Sequence, residues 1–134
     1  MKNVLLVEDN EMTVSWLPGY LRHSKEVTLD TVDEVDSAIK ALTSTKYDLL
    51  ILDWRLSEGL NPRVSCRTIV DYLAGLNKGQ LNYNVPVLVA TAHPVPANKE
   101  LGHNYSGLIE VVSKLKMREL RLSVCAALGI EDYL

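Results

Sequence analysis

The stretch Leu49-Leu50-Ile51-Leu52-Asp53-Trp54 decides the fold, because four consecutive aliphatic residues are followed at once by a carboxylate. A short apolar run of this kind is typical of a strand buried on both faces, as in the centre of a parallel sheet. In open α/β sheets, ligands bind beyond the carboxyl ends of the strands, which is where Asp53 would lie. A buried aspartate is costly without partners, so we expect polar groups from other strands beside it.

Alternating apolar runs and amphipathic stretches predict the other elements. The predicted strands are 4–7, 26–31, 49–53, 85–90 and 107–112, and the predicted helices follow Asn10, Asp33 and Pro62 and cover 115–128. We expect Pro18-Gly19 to kink or interrupt the first helix, Asp33 to cap the second, Met117 to face inward in the last and Gly129 to end it. This alternation predicts one α/β domain over residues 1–134, doubly wound, with helices on both faces of a five-stranded parallel sheet.

The composition of the chain gives no reason to expect a nucleic-acid-binding, membrane-spanning or secreted protein. The chain has 134 residues, 47% of them apolar, and a net charge of −3, which gives no broad electrostatic reason to bind nucleic acid or an anionic membrane. We see no membrane span and no signal-peptide cleavage pattern. Cys66 and Cys125 lack metal-site spacing and are typical of small core residues in a reducing compartment. We therefore predict a cytoplasmic protein.

Polar side chains follow four of the five predicted strands. They are Glu8 and Asp9, Asp53, Thr91, and Lys114. In a parallel sheet these groups converge, and two carboxylates about 4 Å apart repel by about 4 kcal/mol at an effective dielectric near 20. Mg²⁺ relieves such repulsion, and carboxylates with a lysine and a hydroxyl suit phosphoryl transfer. Because aspartate can itself be the nucleophile, the pattern predicts a Mg²⁺-dependent aspartate phosphorylation site.

At these motifs the sequence resembles the receiver domains of two-component response regulators. The resemblance covers nearly the whole chain and rests on residues 4–10, 50–54, 87–92 and 112–114, in that order. It implies the strand order 2-1-3-4-5, for which a receiver protein is a known example. It also implies a phosphoacceptor that promotes its own phosphorylation and dephosphorylation, rather than an enzyme. Its partners would be a sensor histidine kinase or a histidine phosphotransfer protein, together with an unknown effector domain or target protein.

The resemblance also assigns roles at the site. Asp53 would accept the phosphoryl group from a phosphohistidine, and Thr91 and Lys114 would hydrogen-bond and pair with it. Mg²⁺ would be held by Glu8, Asp9, Asp53 and the backbone carbonyl of Arg55. From the net charge we expect no direct binding of nucleic acid or membrane by this domain, and a homodimer stays possible.

Several positions depart from the pattern of that family. Leu115 stands where proline is usual, Val111 stands where the fifth strand often carries an aromatic ring, and Pro94 and Pro96 disfavour a helix. We expect phosphorylation to order residues 93–105 more than any other region.

Two other functions stay open. These departures also suit a receiver-like interaction module that needs no phosphate. A hydrolase of the haloacid-dehalogenase type is a third hypothesis, but it requires an aspartate where Arg55 stands. Residue by residue, Asp53 could be only a turn former, Glu8 and Asp9 could only favour a helix dipole, and Thr91 could be an ordinary strand-end hydroxyl.

Overall fold

The computed structural model describes residues 1–8, 16–53, 62–91, 105–113 and 115–132, with the backbone alone for 62–66. Five strands and four helices lie within these ranges. The strands are β1 (Lys2–Val7), β2 (Val27–Val32), β3 (Leu49–Asp53), β4 (Val87–Thr91) and β5 (Ile109–Ser113). The helices are α1 (Trp16–His23), α2 (Val35–Ser44), α3 (Pro62–Ala74) and α4 (Met117–Leu128). None of the described helices is long and apolar enough to cross a membrane.

The five strands form one parallel sheet in the order β2-β1-β3-β4-β5, so the predicted fold class and strand order are confirmed. The strand β3 lies at the centre, between β1 and β4, and all five of its residues are buried. In the register of the sheet, Leu52 of β3 lies beside Val7 of β1, and Asp53 of β3 lies beside Ala90 of β4. The aliphatic run before Asp53 therefore occupies the most enclosed position in the sheet, as its composition indicates.

Helices cover both faces of the sheet and divide the interior into two cores. The first core cluster joins one face of the sheet to Ala38 and Leu42 of α2 and to Ile69, Val70 and Leu73 of α3. The second core cluster joins the other face to Leu17, Tyr20 and Leu21 of α1 and to Leu120, Val124, Cys125 and Leu128 of α4. Successive strand residues point to opposite faces, which explains why neighbours such as Leu50 and Ile51 belong to different clusters.

Two local predictions are wrong, and a third is wrong in part. Helix α1 continues from Trp16 to His23 through Pro18 and Gly19, so it is not interrupted there. The residue that precedes α2 is Glu34, and its side chain makes no capping bond, so Asp33 is not the cap. Met117 is 55% exposed because it is the first residue of α4. Gly129, by contrast, ends α4 with φ 68, as expected.

Asn82 fastens the amino end of the sheet. It is buried, with φ 67, and its side-chain oxygen accepts a hydrogen bond of 2.8 Å from the Tyr47 amide just before β3. Its side-chain nitrogen donates to the carbonyls of Leu42 and Thr45 at 2.7 and 2.8 Å, and so satisfies carbonyls at the end of α2. One side chain thus joins the α3–β4 connection to α2 and to the start of the central strand.

Tyr105 fastens the start of β5 to the start of β4. Its hydroxyl donates to the Val85 carbonyl, and its ring packs against the first core cluster. Gly107 lies beneath that ring, because a β-carbon added there would come within 2.5 Å of the Tyr105 Cζ. Any larger residue at position 107 would therefore have to displace the Tyr105 ring.

Candidate functional site

Glu8 and Asp53 end neighbouring strands at the same edge of the sheet. The register pairs Val7 with Leu52, so Glu8 and Asp53 come next on β1 and β3. The Glu8 amide continues the β1–β2 ladder, donating to the Val32 carbonyl at 2.9 Å. Glu8 is 5% exposed and Asp53 is 2% exposed. The structure therefore brings together two buried carboxylate-bearing residues about 4.8 Å apart across the sheet.

The alternation of strand side chains places these two carboxylates on one face. Alternate residues of a strand face the same side of the sheet, and we say that such residues have the same parity. Glu8 has the parity of Val4 and Leu6, and Asp53 has that of Leu49 and Ile51; these four aliphatic residues belong to the second core cluster. That face is the one covered by α1 and α4. A group bound by both carboxylates would therefore approach from this side.

Thr91 ends β4 at the same edge but with the opposite parity. It follows Ala90, the register partner of Asp53, and it is 3% exposed. Its parity is that of Val87 and Val89, which belong to the first core cluster. The hydroxyl of Thr91 and the carboxylate of Asp53 thus stand on opposite faces where their strands end, a relation that the sequence motifs do not reveal.

Beyond Thr91 the register continues to Ser113, the last residue of β5. The Ser113 hydroxyl accepts a hydrogen bond of 3.2 Å from the Leu115 amide. Asp9, Arg55 and Lys114 lie outside the described residues, so the structure places three of the six predicted site residues: Glu8, Asp53 and Thr91. Within the described part of the chain, no group of three or more His, Cys, Asp or Glu residues could hold a metal ion.

No protein-family model and no curated protein matches this sequence. Solved structures do match it. The signal receiver domain of an HD domain-containing protein from Pseudomonas fluorescens is 19% identical, with 96% of this chain and 94% of that chain covered and a TM-score of 0.74. A signal receiver domain of a histidine kinase from Clostridium thermocellum is 16% identical, with 96% and 98% covered and a TM-score of 0.73.

A third match is the receiver domain of a sensor histidine kinase from Pseudomonas aeruginosa, whose structure has magnesium coordinated in the active-site cleft. It is 22% identical, with 96% of this chain and 98% of that chain covered and a TM-score of 0.69. This chain has the receiver fold. The expected resemblance is confirmed at the level of architecture, over nearly the whole length.

The departures from the receiver pattern can be located where the structure describes them. Val111 is half-buried and packs against the first core cluster, on the same face as Thr91. Leu115 is 75% exposed. Pro94, Pro96 and the rest of the expected switch segment before Tyr105 lie outside the described residues. In this receiver fold, position 111 of β5 thus holds a small aliphatic side chain, valine, rather than an aromatic ring.

A magnesium ion would suit the two described carboxylate-bearing residues. Hard divalent cations prefer carboxylate oxygens, and Mg²⁺ is usually bound through one or two carboxylates with waters and phosphate oxygens. Glu8 and Asp53 supply two such groups from adjacent strands, both more than nine-tenths buried. Their closeness in a poorly hydrated position is the feature that favours a cation.

One polar cluster was not foreseen from the sequence. Tyr20, Arg121 and Asp132 meet on the face covered by α1 and α4. Tyr20 and Arg121 come from different helices, and Asp132 follows α4 by four residues. Neither periodicity nor a motif links three such positions, so only the folded structure reveals the cluster.

Proposed function

We propose that this protein is a signalling receiver of a two-component system. Asp53 would accept a phosphoryl group from a phosphohistidine of a sensor histidine kinase or of a histidine phosphotransfer protein. The receiver domains among its structural neighbours belong to histidine kinases and to other signalling proteins, which supports a phosphorelay role.

The observation that carries the proposal is the position of Asp53. It is 2% exposed, it ends the fully buried central strand β3, and it lies beside Glu8 in the sheet register. Burying a carboxylate next to another is costly for the fold alone. A site that must hold a cation gives that arrangement a purpose, because the cation reduces the like-charge repulsion and can then neutralise charge on an incoming phosphoryl group.

Each residue has a distinct part in the proposed transfer. A carboxylate oxygen of Asp53 attacks phosphorus, an oxygen–phosphorus bond forms, and the phosphorus–nitrogen bond of the donor imidazole breaks. The imidazole keeps the electron pair and takes up a proton. Thr91 donates its hydroxyl to a phosphoryl oxygen, and Lys114 pairs with the new negative charge.

Glu8 and Asp53 would hold Mg²⁺ together with Asp9 and the Arg55 carbonyl. Bound there, the ion would neutralise charge that develops on the phosphoryl oxygens. The burial of Glu8 keeps its carboxylate at the end of β1, where the hydrogen bond from its own amide to Val32 fixes the backbone. The rigid strand β3, which carries Asp53, would orient this carboxylate for its attack on phosphorus.

Treatment with acetyl phosphate and Mg²⁺ followed by intact mass spectrometry tests the proposal. We expect one added phosphate on the wild type, none on Asp53→Asn, and none when a chelator removes Mg²⁺. Asp71→Asn, a change at an exposed carboxylate on α3, is the matched control and should be labelled like the wild type. Equal labelling of Asp53→Asn would contradict the assignment.

A phosphate-independent interaction module is the second candidate. Seven large apolar side chains of the described residues are exposed, and four of them lie between residues 108 and 122: Leu108, Leu115, Met117 and Leu122. Exposed apolar side chains around β5 and the start of α4 would suit a protein partner. Under this hypothesis the wild type gains no phosphate in the same experiment, yet still folds and binds its target.

A further inference from the structure

Residues 129–132 fold back against the face covered by α1 and α4. Gly129 takes a left-handed conformation, and the amide of Ile130 donates to the Cys125 carbonyl at 3.0 Å. The Ile130 side chain packs on the second core cluster. We call residues 129–132 the strap, because this turn sends the chain back over the helix that it has just left.

Asp132 closes the strap onto both helices. Its Oδ1 accepts a hydrogen bond of 2.6 Å from the Tyr20 hydroxyl of α1. Both of its oxygens lie 3.0 Å from Nε of Arg121 on α4, and the Arg121 and Asp132 side chains are only 18% and 17% exposed. Charge-assisted bonds at such partly buried positions are stronger than exposed ion pairs.

The two side chains that bond Asp132 also contact each other. The Arg121 guanidinium lies 5.9 Å from the centre of the Tyr20 ring, and the Tyr20 and Trp16 rings meet in a T-shaped contact. The Tyr20 hydroxyl is also 3.4 Å from Sγ of Cys125. Burial and the hydrogen bond to Asp132 raise the pKa of Tyr20, so its hydroxyl stays protonated and remains a donor.

Trp16, Tyr20 and Arg121 belong to the three residue types most enriched at the energetic centres of protein interfaces. We propose that they form a protein-binding face, and that the strap occupies the part of it made by Tyr20 and Arg121. The partner would be a protein segment that presents a carboxylate two residues after an aliphatic side chain. Ile130 and Asp132 already show this chemistry in place, since one packs on the core and the other bonds Tyr20 and Arg121.

The reactivity of Cys125 reports whether the strap is open. Its thiol is 4% exposed and lies next to the Tyr20 hydroxyl that Asp132 holds. Modification by a thiol reagent, resolved from Cys66 by peptide mapping, should be slow in the wild type. Asp132→Ala should accelerate the modification of Cys125 about tenfold, because the variant loses a hydrogen bond to a charged group that holds the strap closed. Glu131→Gln removes the neighbouring exposed carboxylate and should leave the rate unchanged.

Occupation of the face is tested in the Asp132→Ala protein with two acetylated peptides. One has the sequence of residues 127–132, and the other has asparagine in place of its final aspartate. We expect the first to slow Cys125 modification again and the second to have no effect. If Asp132→Ala does not fold, Asp132→Asn keeps the shape, removes only the charge and takes its place.

Two results would overturn the inference. A Cys125 rate in the Asp132 variant within twofold of that of Glu131→Gln shows that Asp132 does not close the strap. Acceleration that neither peptide reverses shows that the face does not accept such a segment. Both measurements are independent of Asp53 phosphorylation, so they stand or fall separately from the proposed function.

Discussion

Replacing Asp53 by asparagine should stabilise the protein when no divalent cation is present. Glu8 and Asp53 are register neighbours on β1 and β3, about 4.8 Å apart, and both are buried. That distance is the spacing of the strands, and carboxylates about 5–8 Å apart repel by about 2–3 kcal/mol at an effective dielectric near 20. Asp53→Asn removes the charge and keeps the shape, so we expect a gain of about 1–3 kcal/mol in the free energy of unfolding.

Urea denaturation in chelator and in saturating Mg²⁺ measures this. In chelator Asp53→Asn should unfold at higher urea than the wild type, and Mg²⁺ should stabilise the wild type more, because binding to the folded state adds RT ln(1 + [L]/Kd). Glu26→Gln, a change at an exposed residue far from Asp53 in the register, is the control and should match the wild type in both buffers. If Asp53→Asn is the less stable protein in chelator, the carboxylate is already compensated and the repulsion argument fails.

Three further predictions concern the scaffold. Asn82→Ala should cost roughly 3–5 kcal/mol in denaturant unfolding because it removes the partners of two buried backbone groups and one partly buried group. Asn82→Gly should recover about 1 kcal/mol of that loss because a φ of 67 costs glycine nothing. Equal losses would refute the separation of bonding from strain. Burial and a 2.7 Å hydrogen bond to Asp30 raise the pKa of Tyr47 to about 12. The protonated phenol is thus favoured in the folded state, so the contribution of Tyr47 to stability should be constant below pH 10 and fall by about 2–3 kcal/mol between pH 10 and pH 12. Tyr105 and Tyr20, whose pKa values are also raised, add to the fall of the wild type above pH 10. Tyr47→Phe should lose its own part of the slope, and an unchanged slope would contradict the assignment. Gly107→Ala should lower the melting temperature because its new methyl group displaces the Tyr105 ring, and combining it with Tyr105→Ala should remove most of the effect.

The sequence predicts those features that repeat or that follow a strand. The aliphatic run before Asp53 and the alternation of elements were enough for a covered parallel sheet with this strand at its centre, because a continuous apolar strand has to be buried on both faces. The strand order itself came from the resemblance to receiver domains. The positions of Glu8 and Thr91 at the same edge as Asp53 were also predictable, since residues at the carboxyl ends of parallel strands share one edge of the sheet. Asp9, Arg55 and Lys114 lie outside the described residues, so their roles stay predictions.

Features that depend on one long-range contact were not predictable. Asn82 reads as an ordinary turn residue, yet its side chain reaches backbone groups 35 to 40 residues away. Tyr20 and Asp132 are 112 residues apart, and no local pattern announces that they bond.

The opposite parity of Asp53 and Thr91 has a mechanical consequence. A phosphoryl group bonded covalently to Asp53 and hydrogen-bonded by Thr91 would link two cores that the sheet otherwise separates. One core lies beneath α1 and α4, and the other lies beneath α2 and α3. Cavities cut into the two cores, by Val124→Ala in one and Leu73→Ala in the other, should then act almost independently on stability before phosphorylation. After phosphorylation the same two cavities should become coupled, because strain on either side reaches the other through a single shared anchor.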